Sequence, residues 1–319
     1  MSEPFDSKLP HVGQLSEKEI IGRLKNIFGD LMPPSPFGPG DDCAIIDNPP
    51  PNSKLYATSD SVIMGVHFSP ETSPERAGAK LLNRNASDIA SMGGRPYCAI
   101  TSAVFSKNLS LNWLDGFCKG LSDSASKLGV KIVGGDCASV KGDYFSMHLT
   151  MLGVSTLRPL LRTGASIGDK ICVTGSLGLS FETRHHLDFS PRLREGELLA
   201  IDENVSACTD LSDGIASDIL NLLPESAAAI LDEASLPLRK FSGKLAKIEN
   251  ALTDGEDYEL LFTYKGNPLR LSELFKSEGL APISVIGEIS PKGNFGSIIL
   301  RDGVGNLKAF RGRGYSQLA

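Results

Sequence analysis

The residues best equipped for chemistry in this 319-residue chain are carboxylates in Gly-rich turns or at the ends of apolar runs. They are Gly40-Asp41-Asp42, Thr58-Ser59-Asp60, Asn85-Ala86-Ser87-Asp88, Gly134-Gly135-Asp136, Asp210-Leu211-Ser212-Asp213-Gly214 and Gly255-Glu256-Asp257. Carboxylates held close together repel unless cations neutralise them or their pKa values rise. A fold that gathers several such loops therefore points to bound cations. Hydroxyl and carboxylate oxygens, as in Thr58, Ser59 and Asp60, are hard ligands of the kind Mg²⁺ takes.

Each motif carries a further physical hint. Gly134 and Gly135 let the backbone come close to a ligand before Asp136 presents its carboxylate. Asp210 to Gly214 precedes an apolar helical pattern, and a helix start offers free N–H groups to phosphate. Thr174-Gly175-Ser176-Leu177-Gly178 is a second small-residue turn able to hold phosphate through backbone N–H groups. His67, beside Phe68, and Arg162, a residue type that pairs with phosphate in two-pronged fashion, complete the candidates. There is no G-x-x-x-x-G-K-[ST], no H-E-x-x-H and no EF-hand loop. Gly164-Ala165-Ser166-Ile167-Gly168 matches G-x-S-x-G, but it precedes an apolar run instead of following one, so it is expected to be a turn.

The elements that must position these groups follow from periodicity. Ser16 with Glu19 three residues on predicts a helix over 16–28, with Ile20, Ile21, Leu24, Ile27 and Phe28 on one face. Strands at 55–59, 97–105 and 131–133, and a half-buried strand at 144–151, interleave with helices over 74–91 and 110–128. A connector at 158–168 leads to strands at 170–174, 228–231, 260–263, 283–286 and 297–301, with helices over 177–186, 191–201 and 212–223. Both halves are thus α+β or α/β, and the length favours two domains, 1–155 and 156–319.

Composition narrows the function classes. With 41% hydrophobic and 22% charged residues the chain has the make-up of an ordinary globular protein. The 32 basic and 38 acidic residues give a net charge of −6 without a Lys/Arg cluster, which argues against nucleic acid as a partner. No apolar run spans a membrane and no basic-then-apolar signal opens the chain, so a cytoplasmic protein is expected. Cys43, Cys98, Cys118, Cys137, Cys172 and Cys208 are scattered without a C-x-x-C pair.

In this order the motifs resemble those of the thiamine-monophosphate kinases, in the superfamily that includes aminoimidazole ribonucleotide synthetase and selenophosphate synthetase. The resemblance runs from the first helix to Gly314-Tyr315 and rests on Gly-Asp-Asp, Ser-Asp-Ser, His-Phe, Asn-x-Ser-Asp-x-x-x-Met-Gly, Gly-Gly-Asp, Asp-Leu-Ser-Asp-Gly and Gly-Glu-Asp-Tyr-Glu-Leu. It implies a two-domain synthetase-superfamily fold, with N-terminal sheets and their helices forming a homodimer and a C-terminal α/β domain. It also implies ATP-dependent phosphorylation of thiamine monophosphate to thiamine diphosphate with several Mg²⁺ ions. On that basis Asp42, Thr58, Ser59, Asp60, Asp88, Asp136, Asp210 and Asp213 are expected as metal ligands. Gly135, Asp136, Arg162 and Ser212 fall at nucleotide positions, and His67, Glu256 and Tyr315 at acceptor positions. No side chain is expected to act as a nucleophile. Departures are Ser59 for the commoner Thr, Cys137 after Asp136, Thr253-Asp254 before Gly255, and Lys127-Leu128 where some relatives carry aromatic residues. Another ATP-dependent synthetase of the superfamily and a non-catalytic metal–nucleotide module are the alternatives.

Overall fold

The computed structural model describes residues 3–5, 8–39, 43–293 and 296–315. The chain divides into two compact units, Met1–Ile89 with Arg95–Thr156, and Ala90–Gly94 with Leu157–Ala319.

The first unit begins with α1, Glu17–Phe28, whose start is fixed by the capping box expected from the sequence. The Ser16 N–H donates to Glu19 Oε2 at 2.8 Å and the Glu19 N–H to Ser16 Oγ at 3.4 Å. Strand β1 (Lys54–Ile63), helix α2 (Pro74–Ser91), strand β2 (Arg95–Ser106), helix α3 (Leu111–Leu128), and strands β3 (Lys131–Val140) and β4 (Phe145–Ser155) follow. The sheet runs β1-β4-β2-β3, with β2 and β3 parallel and the other pairs antiparallel. Along β4, Phe145, Met147, Leu149 and Met151 are buried while His148 is exposed, the two-residue alternation of a sheet packed on one face. On the buried face Trp113 and Phe117 of α3 meet Phe145 edge-on, with centroids 4.7 and 4.8 Å apart.

Two expectations about strand ends are corrected here. β1 does not stop at Ser59 but pairs with β4 as far as Ile63, and β3 continues through Gly134, Gly135 and Asp136 to Val140. Asp60 and Asp136 therefore sit within strands.

The second unit contains β5 (Lys170–Thr174), α4 (His185–Asp188), α5 (Leu193–Ile201), β6 (Val205–Asp210), α6 (Ile215–Asp218), β7 (Ala227–Asp232), β8 (Lys240–Phe241) and β9 (Lys244–Leu245). Then come α7 (Ile248–Thr253), β10 (Leu260–Tyr264), α8 (Leu269–Ser277), β11 (Ile283–Pro291), β12 (Ile298–Arg301) and β13 (Leu307–Ala309). Strands β8 and β9 form a hairpin; the other seven make one sheet, β13-β12-β7-β11-β5-β10-β6, in which only β7 and β12 pair in parallel. The sheet is buried on both faces. Ile171, Val173 and Leu261 pack with Ile215 and Ile219, whereas Cys172, Cys208 and Phe262 pack with Leu199, Leu271 and Phe275. Burial on both sides explains why β5 and β10 read as unbroken apolar runs.

The helix expected over 177–186 is mostly turns, with Leu179 at φ 56° and Arg184 at φ 61°, outside the helical region. The helix expected over 212–223 is reduced to α6 and a 3₁₀ turn at Ile219–Asn221. Among the described residues no helix is long and apolar enough to cross a membrane.

Candidate functional site

In the first unit, strand alternation sorts the expected metal ligands. Thr58 and Asp60, two apart on β1, reach α2: the Thr58 hydroxyl donates to the Asp88 carboxylate, and Arg84 Nη2 donates to Asp60 Oδ1 at 3.2 Å. The Asp60 N–H donates to Asn85 Oδ1 at 3.0 Å, so Arg84, Asn85 and Asp88 on one stretch of α2 all fix this part of β1. Ser59, between them, is exposed on the other face, 3.0 Å from the Thr150 hydroxyl. The structure thus brings Thr58, Asp60 and Asp88 together and sets Ser59 apart from them.

Asp136 is exposed and lines an open cavity of 460 Å³ with Cys43, Ile46, Ile100, Thr101, His148 and Thr150. Gly135 is explained by the neighbouring strand: a Cβ there would lie 2.4 Å from the Thr101 carbonyl oxygen. His67 is buried, accepts the Ile63 N–H on Nδ1 at 3.0 Å, and its carbonyl oxygen receives Lys80 Nζ at 2.7 Å. Asp42 lies outside the described residues. Arg84, whose Nη1 also donates to the Ser61 carbonyl at 2.6 Å, was not singled out from the sequence. Its only signal is a cation at helical spacing before Asp88.

In the second unit, Asp210 closes β6 and is buried, while Ser212 and Asp213 are half-buried in the turn before α6. The Asp213 N–H donates to Asp218 Oδ2 at 3.0 Å, and the Tyr315 N–H donates to the Asp213 carbonyl at 2.8 Å. Burial pushes the Asp218 carboxyl up to about 7, with the Asp213 charge adding to the rise, against the backbone N–H bonds and the Arg162 charge. Asp218 is a second residue missed in the sequence, where a carboxylate between Ala216 and Ile219 was its one trace. Arg162 itself is exposed.

Glu256 is buried, with φ 55°, and its N–H donates to the Ser212 carbonyl at 2.7 Å. His186 Nδ1 lies 3.2 Å from Glu256 Oε2, and Phe181 lies against both His186 and Tyr315. Ser212, Asp213, Glu256 and Tyr315 are therefore neighbours within this unit.

The turn Thr174 to Gly178 is not open to phosphate as expected. The Gly175 N–H is taken by the Pro282 carbonyl, the Leu177 N–H by Pro237, and the Gly178 N–H by the Asp257 carboxylate at 3.0 Å. Arg239 Nη1 donates to Asp257 Oδ1 at 2.7 Å, and Arg192 makes a two-pronged pair with Glu259 at 2.7 and 2.6 Å. Asp257 and Glu259 thus have structural duties. The turn at 164–168 is as expected, with the Ser166 N–H bound by Asp169 at 2.9 Å.

All six cysteines are free; Cys43 is exposed, and burial raises the Cys137 thiol, assisted by Glu17 and Asp136. Such shifts disfavour the thiolate and its reactivity.

Residues 40–155 match the N-terminal domain of AIR synthase related proteins and residues 166–299 match the C-terminal domain. A thiamine-monophosphate kinase of Haemophilus influenzae is 34% identical over 296 residues, covering 83% of this chain and 86% of its own. One from Rhodopirellula baltica is 33% identical over 272 residues, covering 81% and 84%. The crystal structure of the Stenotrophomonas maltophilia thiamine-monophosphate kinase superposes with a TM-score of 0.74 at 27% identity, over 90% of this chain and 96% of that one. With both domains matched and relatives above 30% identical across most of its length, the chain belongs to the AIR synthase related family and, within it, to the thiamine-monophosphate kinases.

Proposed function

We propose that this protein transfers the γ-phosphoryl group of ATP to thiamine monophosphate, giving thiamine diphosphate and ADP. The observation that carries this reading is the identity above 30% to thiamine-monophosphate kinases over four-fifths of the chain. The acidic residues give it chemical sense. The acceptor is a phosphate monoester whose oxygen is ionised at neutral pH, so attack needs no general base. What it needs is relief of repulsion between two anions and in-line placement. Transfer is therefore direct, without a phosphoenzyme.

Among the described residues no group of three or more His, Cys, Asp or Glu gathers tightly enough to hold a metal alone. Mg²⁺ commonly takes one or two carboxylates and completes its shell with water and substrate phosphates. Thr58, Asp60, Asp88 and Asp136, with Ser59 and Asp42, and Asp210 and Asp213 of the second domain, are the proposed ligands. When bound, Mg²⁺ supplies charge neutralisation at phosphate oxygens. Gly135, Arg162 and Ser212 are assigned to the nucleotide, and His67, Glu256 and Tyr315 to the acceptor. Residues 1–155 are assigned the metal and nucleotide role and the dimer contact, residues 156–319 the remaining nucleotide and acceptor groups. A cytoplasmic homodimer completes the proposal.

ADP release measured with and without thiamine monophosphate tests it. Release is expected only with ATP, Mg²⁺ and acceptor together, and Asp60→Ala or Asp136→Ala is expected to lower turnover by about a thousandfold with the fold retained. Acceptor-independent ADP release would overturn the kinase reading; near-normal turnover of either variant at saturating Mg²⁺ would overturn the metal assignment.

A further inference from the structure

Phe181 is 41% exposed in a turn whose neighbours Leu177, Ser180 and Leu187 are buried. Nothing about the turn is loose. Ser180 Oγ donates to the Gly255 carbonyl at 2.7 Å, the Leu179 N–H to Asp254 Oδ2 at 2.8 Å, and the Arg184 N–H to the Phe181 carbonyl at 3.0 Å. The ring lies 4.6 Å from His186 and 6.3 Å from Tyr315, centroid to centroid, so three rings border one spot. Beside the His186 ring the buried Glu256 carboxylate is held 3.2 Å from Nδ1. Three non-glycine residues with positive φ, Leu179 at 56°, Arg184 at 61° and Glu256 at 55°, belong to this same arrangement. Strain of this kind persists where the surroundings enforce it, and it concentrates at ligand sites.

An exposed aromatic ring on a well-bonded turn, one side chain away from a buried carboxylate, is matched to a flat ring carrying positive charge. The ring face attracts a cation through its quadrupole, and the carboxylate adds an opposite charge. The nearby cations Arg239 and Arg192 are each paired with their own carboxylates, Asp257 and Glu259. We infer that Phe181 is a specificity-determining residue that stacks on the thiazolium ring of the acceptor, and that His186 is a positioning residue that holds Glu256 nearby. This rests on the kinase reading above, with His67 and Tyr315 left in the roles given there.

Two measurements on the full chain test it. In steady-state kinetics with ATP and Mg²⁺, Phe181→Ala is expected to raise the KM for thiamine monophosphate about tenfold, with the KM for ATP, kcat and Tm little changed, and Phe181→Tyr to restore it. His186→Ala is expected to raise the same KM without raising that for ATP. In calorimetric titration without ATP, thiamine monophosphate is expected to bind Phe181→Ala about tenfold more weakly than the unaltered protein. Equal acceptor binding by the two proteins, or none by either, would overturn the inference, as would a rise in both KM values together or failure of tyrosine to rescue. An unaltered protein that binds the acceptor in the titration but does not phosphorylate it would sink the kinase reading alone.

Discussion

Glu256 and Asp257 are adjacent in the chain yet serve different neighbourhoods, the first beside His186, the second inside the pair with Arg239. His185 joins the second group through a 2.9 Å contact between its Nε2 and the Asp257 carbonyl oxygen. Burial, and then the Arg239 charge, push its pKa from 6.5 down to about 4, so the folded protein keeps this imidazole neutral. Between pH 6.5 and 4 the unfolded chain binds the extra proton and the folded one does not, so this contribution to stability is lost as pH falls. At 1.36 kcal/mol per pKa unit the loss is on the order of 3 kcal/mol. Asp257 acts in the opposite sense, because burial raises its pKa from 3.8 to about 6 and its contribution is lost as pH rises through that window. His185→Gln removes the first effect and leaves the second. Its melting temperature is therefore expected to fall less than that of the unaltered protein between pH 6.5 and 4. Parallel melting curves for the two proteins would show that His185 is not held neutral.

At the scale of elements, α2 and α3 meet through glycine. A Cβ on Gly120 would lie 1.8 Å from the Glu75 carbonyl oxygen, and one on Gly78 1.9 Å from the Phe117 carbonyl oxygen, so each helix backbone rests directly on the other. Gly120→Ala must separate them and is expected to cost about 3 kcal/mol or more. Gly22→Ala in α1, where an added Cβ meets nothing within 4 Å, is expected to be neutral or to gain up to about 1 kcal/mol. Denaturant midpoints check the contrast, and equal midpoints for the two variants would rule out the tight crossing. The elements legible in the sequence are those set locally. The Ser16 and Glu19 capping box located α1, and the apolar run at 170–174 located β5 with its observed ends. Where partners decide, the pattern misled. β1 runs on through the polar Ser59-Asp60-Ser61, and β3 through two glycines, because β4 and β2 supply the hydrogen bonds. The turns around Leu179 and Arg184 replaced a helix because Asp254 and Gly255, some 75 residues away in the chain, bind them. The same division holds for the proposed site. Its carboxylates stood out by type and spacing, whereas Arg84, Asp218, Phe181 and His186 are ordinary residues made significant only by their neighbours.

At the scale of the whole molecule, the four-stranded sheet of the first unit leaves Leu55 52% and Ile100 46% exposed, and Ile45 and Ile46 in the preceding segment are exposed as well. Exposed apolar side chains on a sheet face favour association with a second copy, in line with the proposed homodimer. Sedimentation is expected to give twice the 34.0 kDa chain mass for the unaltered protein and the single mass for Leu55→Glu combined with Ile100→Glu. A monomeric unaltered protein would remove the dimer from the proposal. Glu256 meets His186 while its neighbour Asp257 meets Arg239, so the acceptor role proposed for the first and the structural pairing of the second fall on adjacent residues of one short segment. On the proposed assignment, substitutions at Phe181, Glu256 and Tyr315 alter the acceptor site and leave the buried pairs of Arg239 and Arg192 in place. A scaffold so divided lets the proposed site diverge while the architecture is kept.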